Sequence, residues 1–292
     1  MSIVSISSSA QSYSGTTKAL EPLQSQLKKR LNKLDQLVVK INFVTARNKL
    51  ATTPVESVHA FIDFIQPFYK GKIIIAEEAS IGSTKTGFKQ FGYQELAENY
   101  PQVELVYSKN TDSKKVTLNY PQGAVTVPLS KLYLNNFVVS ITRPKTHDAV
   151  VVTLSIKNLL VGAIQGGIPI RQQIHQGHYI NWILKQLSKH IYPDLAVIDG
   201  TIGMQGQGPG SGDPIESNWS LASFDPLAAD SLATALMGFK IKNVGYLNLI
   251  KKTGKGKLYP EDKIKIIGPD PEQLKKHYQP HSSFEQQKNW QR

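Results

Sequence analysis

Leu37-Val38-Val39-Lys40-Ile41-Asn42-Phe43-Val44 is an apolar run of strand length, broken by one lysine and one asparagine. A nearly continuous run of this kind marks a strand buried on both faces, as in a parallel sheet covered by helices. Upstream, Leu20, Leu23, Leu27, Leu31 and Leu34 recur at steps of three and four, with Lys28, Lys29, Arg30 and Lys33 on the other side. That period predicts an amphipathic helix over 19–36, with Pro22 in its first turn. Downstream, Thr53-Pro54 opens a helix through about Tyr69, and Lys72-Ile73-Ile74-Ile75-Ala76 is a second buried run. Helix, strand, helix, strand with short connections reads as α/β.

The pattern continues with a helix near 93–99 and β segments at 103–107, 116–120 and 124–128, the last two joined by a turn at Pro121-Gln122-Gly123. A strand at 137–141, a helix over about 173–191 and a strand at 195–198 follow. Asp225-Pro226 then opens a helix that Gly238 closes, and 264–267 is a last strand. The expected fold is α/β, a mixed, largely parallel sheet flanked by helices in two closely packed lobes. The expected divisions are a flexible N-terminal segment 1–18, a lobe 19–136, a motif-bearing lobe 137–268 and a polar C-terminal tail 269–292.

The 292 residues contain no cysteine, which excludes disulfides, catalytic thiols, Cys-held zinc and thiolate-held iron–sulfur clusters within this chain. Lys and Arg number 34 against 22 Asp and Glu, a net charge of +12. The excess is terminal: residues 1–50 carry +6, residues 240–292 carry +7, and the centre carries −1. The C-terminal lysines have almost no interleaved aromatics, so the sequence argues for a solvated basic edge rather than a nucleic-acid partner. No signal-peptide pattern and no apolar run of membrane length occurs, and the expectation is a cytoplasmic protein without membrane contact.

In open α/β sheets ligands bind at the carboxyl ends of the strands. That rule selects Lys40 and Asn42, Glu77-Glu78, the run Arg143-Pro144-Lys145-Thr146-His147-Asp148, and Asp199. Lys145 and His147, two apart in an extended segment, leave on one face. They can bind an anion or move a proton, the lysine lowering the imidazole's proton affinity. Lys157-Asn158 sits between apolar neighbours, where an unpaired ammonium is costly and needs Asp199, Asp148 or a bound anion.

Six of the thirteen residues from Gly200 to Gly212 are glycine. Such a run can bring Gly206 and Gly208 amides close to a ligand, yet it lacks the spacing of either nucleotide-binding glycine motif. In the helix after Asp225, Asp230 lies opposite Ala228, Leu232, Ala235 and Phe239, facing solvent or a second interface. His175 and His178 share a helical face, but no metal-ligand motif is present, so no metal is expected and no cofactor is named.

Four segments in this order resemble the domain of unknown function 362 family: Arg143–His147, Thr153–Leu159, Ile198–Pro209 and Ser223–Asp230. Lys40-Ile41-Asn42 resembles the family's Lys-Pro-Asn entry motif. The resemblance, from about Leu37 to Ile267, implies an α/β fold and a shared site drawn from Lys40, Asn42, Lys145, His147, Lys157, Asn158, Asp199 and Asp230. Many members carry a ferredoxin-like four-cysteine cluster, which this chain cannot hold. It also has Gln205 where members often have Glu, and Val150-Val151-Val152 where a glycine is usual.

The expected function is that of an enzyme, or enzyme-like protein, for a small anionic carboxylate or phosphate. Lys145 and Lys157 hold the anion, His147 is general acid/base, Asp199 orients Lys157 or His147, and the glycine loop closes over the ligand. The alternatives are a non-catalytic module using its basic ends, and a redox enzyme with an external electron donor.

Overall fold

In a computed structural model, which describes residues 1–175 and 179–291 (for 168, the backbone only), the apolar runs line up in one sheet. The strands are β1 Ser2–Ser8, β2 Gln36–Lys40, β3 Lys72–Glu77, β4 Val103–Tyr107, β5 Ser113–Tyr120, β6 Gly123–Ser130, β7 Phe137–Thr142, β8 Lys145–His147, β9 Val151–Thr153, β10 Leu195–Gln205, β11 Asp213–Ser223 and β12 Ile264–Ile267. Among the described residues ten of them form a sheet in the order β12-β1-β11-β10-β7-β2-β3-β4, with β8 on β10 and β9 on β8. β5 and β6 form a separate hairpin.

β10, β7, β2, β3 and β4 are mutually parallel, while β11 runs antiparallel to both its neighbours. From β2 the chain moves outward through β3 and β4, then returns to the other side of β2 with β7. The strand order therefore reverses between β2 and β7, where a crevice forms at the strand ends.

Strand alternation divides the core. Leu37 and Val39, Ile73 and Ile75, Val139 and Ile141, Leu195 and Val197 pack against the helices Ser12–Leu20, Gln24–Leu31 and Val55–Ile65. Val38, Ile74, Val138, Ala196 and Ile198 face the helices Ser155–Gly162, Tyr179–Leu187, Pro226–Leu236 and Gly245–Lys251. With a period of two, each residue's face follows from its parity.

The structure corrects several boundaries. The expected helix 19–36 is two helices separated by a 3-10 turn at Glu21–Leu23, because Pro22 has no N–H for a continuing ladder. Its leucine face holds nonetheless: Leu20, Leu23, Leu27 and Leu31 are all buried. The supposedly flexible first segment contains β1, seated between β11 and β12 with Val4 and Ile6 buried. The boundary at 136/137 separates no lobes, since β2 and β7 are neighbours in one sheet. The polar tail packs down, burying Tyr278, Gln287 and Trp290. The helix expected over 173–191 is Gly167–Ile174 and Tyr179–Leu187, with His178 outside the described residues.

The glycine run is also not one loop. As far as Gln205 it is strand β10, and its glycines admit aromatic rings: a Cβ on Gly200 would lie 2.5 Å from the Trp219 ring, and one on Gly203 2.0 Å from the Tyr278 hydroxyl.

Candidate functional site

A cavity of about 450 Å³ opens where the strand order reverses. Its polar wall comes from Lys40 and Asn42 at the end of β2, Glu77 and Glu78 at the end of β3, His147 and Asp148 after β8, Lys157 and Asn158, and Arg171 and His175. Phe43, Val44, Ile81, Val161 and Pro209 supply the apolar part.

The floor is a hydrogen-bonded chain. Lys40 Nζ lies 2.7 Å from Glu77 Oε2 and 3.3 Å from Asn158 Oδ1. Asn158 Oδ1 also accepts from Asn42 Nδ2 at 3.1 Å, and its Nδ2 donates to Ser140 Oγ at 3.0 Å. Asn42 Oδ1 accepts from Lys145 Nζ at 2.7 Å. Gly162 makes room for this chain, since a Cβ there would lie 2.3 Å from Lys40 Cε. Burial lowers the proton affinity of Lys40, and that of Lys145 well below the usual lysine range.

Lys157 differs from these two. It is 6% exposed, lines the cavity, and among the described residues no hydrogen bond or ion pair reaches its Nζ. Burial pulls its pKa down to about 8, with Asp148 opposing and Arg171 assisting. Arg171 donates to Ser80 Oγ at 2.7 Å and to the Glu78 carbonyl at 3.2 Å, and among the described residues its buried Nε has no partner.

Two imidazoles complete the wall, their rings stacked with centroids 5.9 Å apart. His147 Nδ1 lies 2.9 Å from the Ala149 N–H and 2.9 Å from Asp148 Oδ1, so it can accept from the first or donate to the second. Burial, reinforced by Lys157, lowers the pKa of His147 to about 3, and the ring is neutral near pH 7. His175 Nδ1 lies 2.6 Å from the Arg171 carbonyl and must donate to it, which leaves Nε2 with its lone pair. Its pKa is lowered to about 4, again by burial first. Among the described residues no three His, Asp or Glu converge to hold a metal ion.

Lys40, Asn42, His147, Lys157 and Asn158 thus line one cavity. Lys145 reaches the cavity only through Asn42. Asp199 does not orient Lys157 or His147: it accepts from Ser57 Oγ and from the Thr201 N–H, facing the buried Arg143 on the other side of the sheet. Strand parity explains this, for Asp199 shares a face with Val197. Asp230 faces neither solvent nor the cavity: buried, it accepts from the Ser155 N–H and hydroxyl and the Ile156 N–H, fixing the first turn of the helix that carries Lys157. The Gly206 and Gly208 amides are spent on the Gln279 and Gly206 carbonyls. Their loop therefore offers the cavity Pro209 and no amide cradle.

Arg171 escaped sequence reasoning because no motif surrounds it, and Glu77-Glu78 carried only its strand-end position. A second hollow, of about 590 Å³, lies between Arg30, Tyr192, Phe224 and Lys255, where β10 begins. Its carboxylates Asp194 and Asp225 are already bonded to backbone N–H groups. Among the described residues no helix is long and apolar enough to cross a membrane.

A thylakoid-associated protein of Synechocystis sp. is 27% identical over 214 residues, 70% of this chain, and the match spans 63% of that protein's length. The lactate racemase apoprotein of Thermoanaerobacterium thermosaccharolyticum superposes with a TM-score of 0.46 at 14% identity, covering 66% of this chain and 49% of the racemase. A Thermotoga maritima protein gives 0.45 at 10% identity, covering 81% and 57%. The model of the domain of unknown function family DUF362 matches residues 37–235 and takes in every wall residue of the cavity. This chain belongs to the DUF362 family.

Proposed function

We propose that the chain is an enzyme, or enzyme-like protein, that takes a small carboxylate or phosphate into the cavity between Lys157, Arg171 and the two imidazoles. The observation that carries this reading is Lys157, a buried amine on a cavity wall that has no partner among the described residues. An ammonium in such a place is stabilised by an anion that arrives from outside. The local charges support it: among the described wall carboxylates, Glu77 pairs with Lys40 and Glu78 with Lys109, which leaves Asp148 to face Lys157 and Arg171. Arg171 offers a planar fork suited to carboxylate or phosphate. His147 and His175, neutral at pH 7, are able to accept a proton from a bound molecule.

A thermal-shift panel of carboxylates and phosphates tests the reading. A ligand at 100 times its Kd stabilises by about 2.7 kcal/mol. The expected result is stabilisation by at least one anion and its loss in Lys157→Met. An equal response in wild type and Lys157→Met, or no response to any anion, would sink the idea.

A further inference from the structure

Among the described residues three lysines are buried around the crevice, and one of them has a nitrogen without a partner there. Lys40 is held by Glu77 and Asn158, and Lys145 sits behind Asn42. Of these three, and among the described residues, it is Lys157 Nζ that lines the cavity without a partner. A permanent anion-holder in a protein is better built from arginine, which keeps its charge on burial, and Arg171 occupies the same wall. A lysine that is buried, unpaired and beside another cation has the setting of an amine nucleophile.

From this arrangement we infer that Lys157 condenses with the carbonyl carbon of a 2-oxo acid whose carboxylate is held by Arg171. The inference rests on the anion reading of the same cavity and names its substrate class. Among the described residues the charged and titratable groups around the amine are Arg171, Asp148, His147, His175 and Lys145. At pH 8 about half of Lys157 is free base, against ~0.4% of an ordinary lysine. The free amine's lone pair attacks the carbonyl carbon, and the C=O π electrons move to oxygen. The proton lost from nitrogen passes through a neutral imidazole to that oxygen, giving the carbinolamine. The proton remaining on nitrogen then passes through the same imidazole to the hydroxyl, which leaves as water while the nitrogen lone pair forms the C=N bond of the imine. Amine and carbonyl give imine and water, with no oxidant or reductant consumed.

The test incubates the full chain at pH 8 with pyruvate and sodium cyanoborohydride, with acetate as the carboxylate that lacks a carbonyl. Intact mass and peptide mapping read the product, and thermal shift reads binding in parallel. One reduced adduct at Lys157, formed roughly a hundredfold faster than on surface lysines and competed by acetate, is the expected result. Lys157→Met, checked for folding by its own melting curve, should lose the adduct, and mapping on the wild type locates it independently. Stabilisation by pyruvate without an adduct would overturn the imine and leave the anion reading standing. Adducts scattered over several lysines would overturn it too. Neither stabilisation nor adduct, with no other anion binding, would end both readings.

Discussion

Lys40 and Glu77 form an ion pair of 2.7 Å with side chains only 1% and 3% exposed, linking the ends of two adjacent strands. A pair this deep contributes little against an apolar substitute, but breaking it leaves one charge stranded. Lys40→Met should therefore cost about 3–5 kcal/mol, and Lys40→Met combined with Glu77→Leu should recover most of that loss. Urea midpoints of the single and double variants decide it. Equal losses in both would mean that the geometry, rather than the unpaired charge, sets the cost.

Acid sensitivity should follow the imidazoles. His147 and His175 fall from the ordinary 6.5 to about 3 and about 4 on folding, so below pH 6.5 the unfolded chain binds protons that the folded chain refuses. Their contribution is complete above 6.5 and is lost as pH falls towards 4. His147→Gln should flatten the rise of stability with pH across that window, read from urea midpoints at pH 4 to 7. An unchanged slope would place the titration elsewhere.

Asp230 should act with the opposite sign. Burial raises its pKa from 3.8 to about 7, so the folded chain binds the extra proton and stability declines as pH climbs between those values. The full span corresponds to about 4 kcal/mol. Asp230→Asn removes the titration, and its stability measured against wild type should gain with rising pH from 4 to 7. A constant difference between the two would refute the assignment.

Val151 has φ 69, a left-handed backbone that a β-branched residue adopts only under constraint. The buried side-chain amide of Gln287 supplies that constraint, its Oε1 accepting the Val151 N–H while its Nε2 donates to the His147 carbonyl at 2.9 Å. Val151→Gly relieves strain where Val152→Gly has none to relieve, and both lose a buried valine. The first should destabilise less than the second by about 1–3 kcal/mol. Denaturation of the two variants side by side tests this, and equal losses would show that no strain is stored.

Much of the architecture was legible because the parallel strands are uninterrupted apolar runs. β1 and β11 were not, for a shared reason: Ser2–Ser8 and Asp213–Ser223 place serines on buried faces, and a serine-rich segment reads as loop until its neighbours are known. At the site, Lys40, Asn42, Lys157 and Asn158 stood out as polar residues in apolar surroundings. Asp199 was misplaced by treating strand ends as one crevice, although its parity with Val197 already put it on the other face. The usual family glycine at 150–152 marked a departure whose meaning is now a backbone angle. Arg171 gave no sequence signal, since its role comes from where its helix docks.

The seat of β1 has a consequence for how the protein is made. Both partners of that strand, β11 and β12, lie beyond residue 212. Strand β1 must therefore wait until more than two hundred further residues have been made before it can find its place. Contacts of that sequence separation are slow to close. A newly made chain can assemble β2, β3, β4 and β7 as it emerges, but β1 keeps both of its edges unpaired until β11 and β12 have been made. Such an unpaired strand is where a nascent chain has most need of protection from its neighbours.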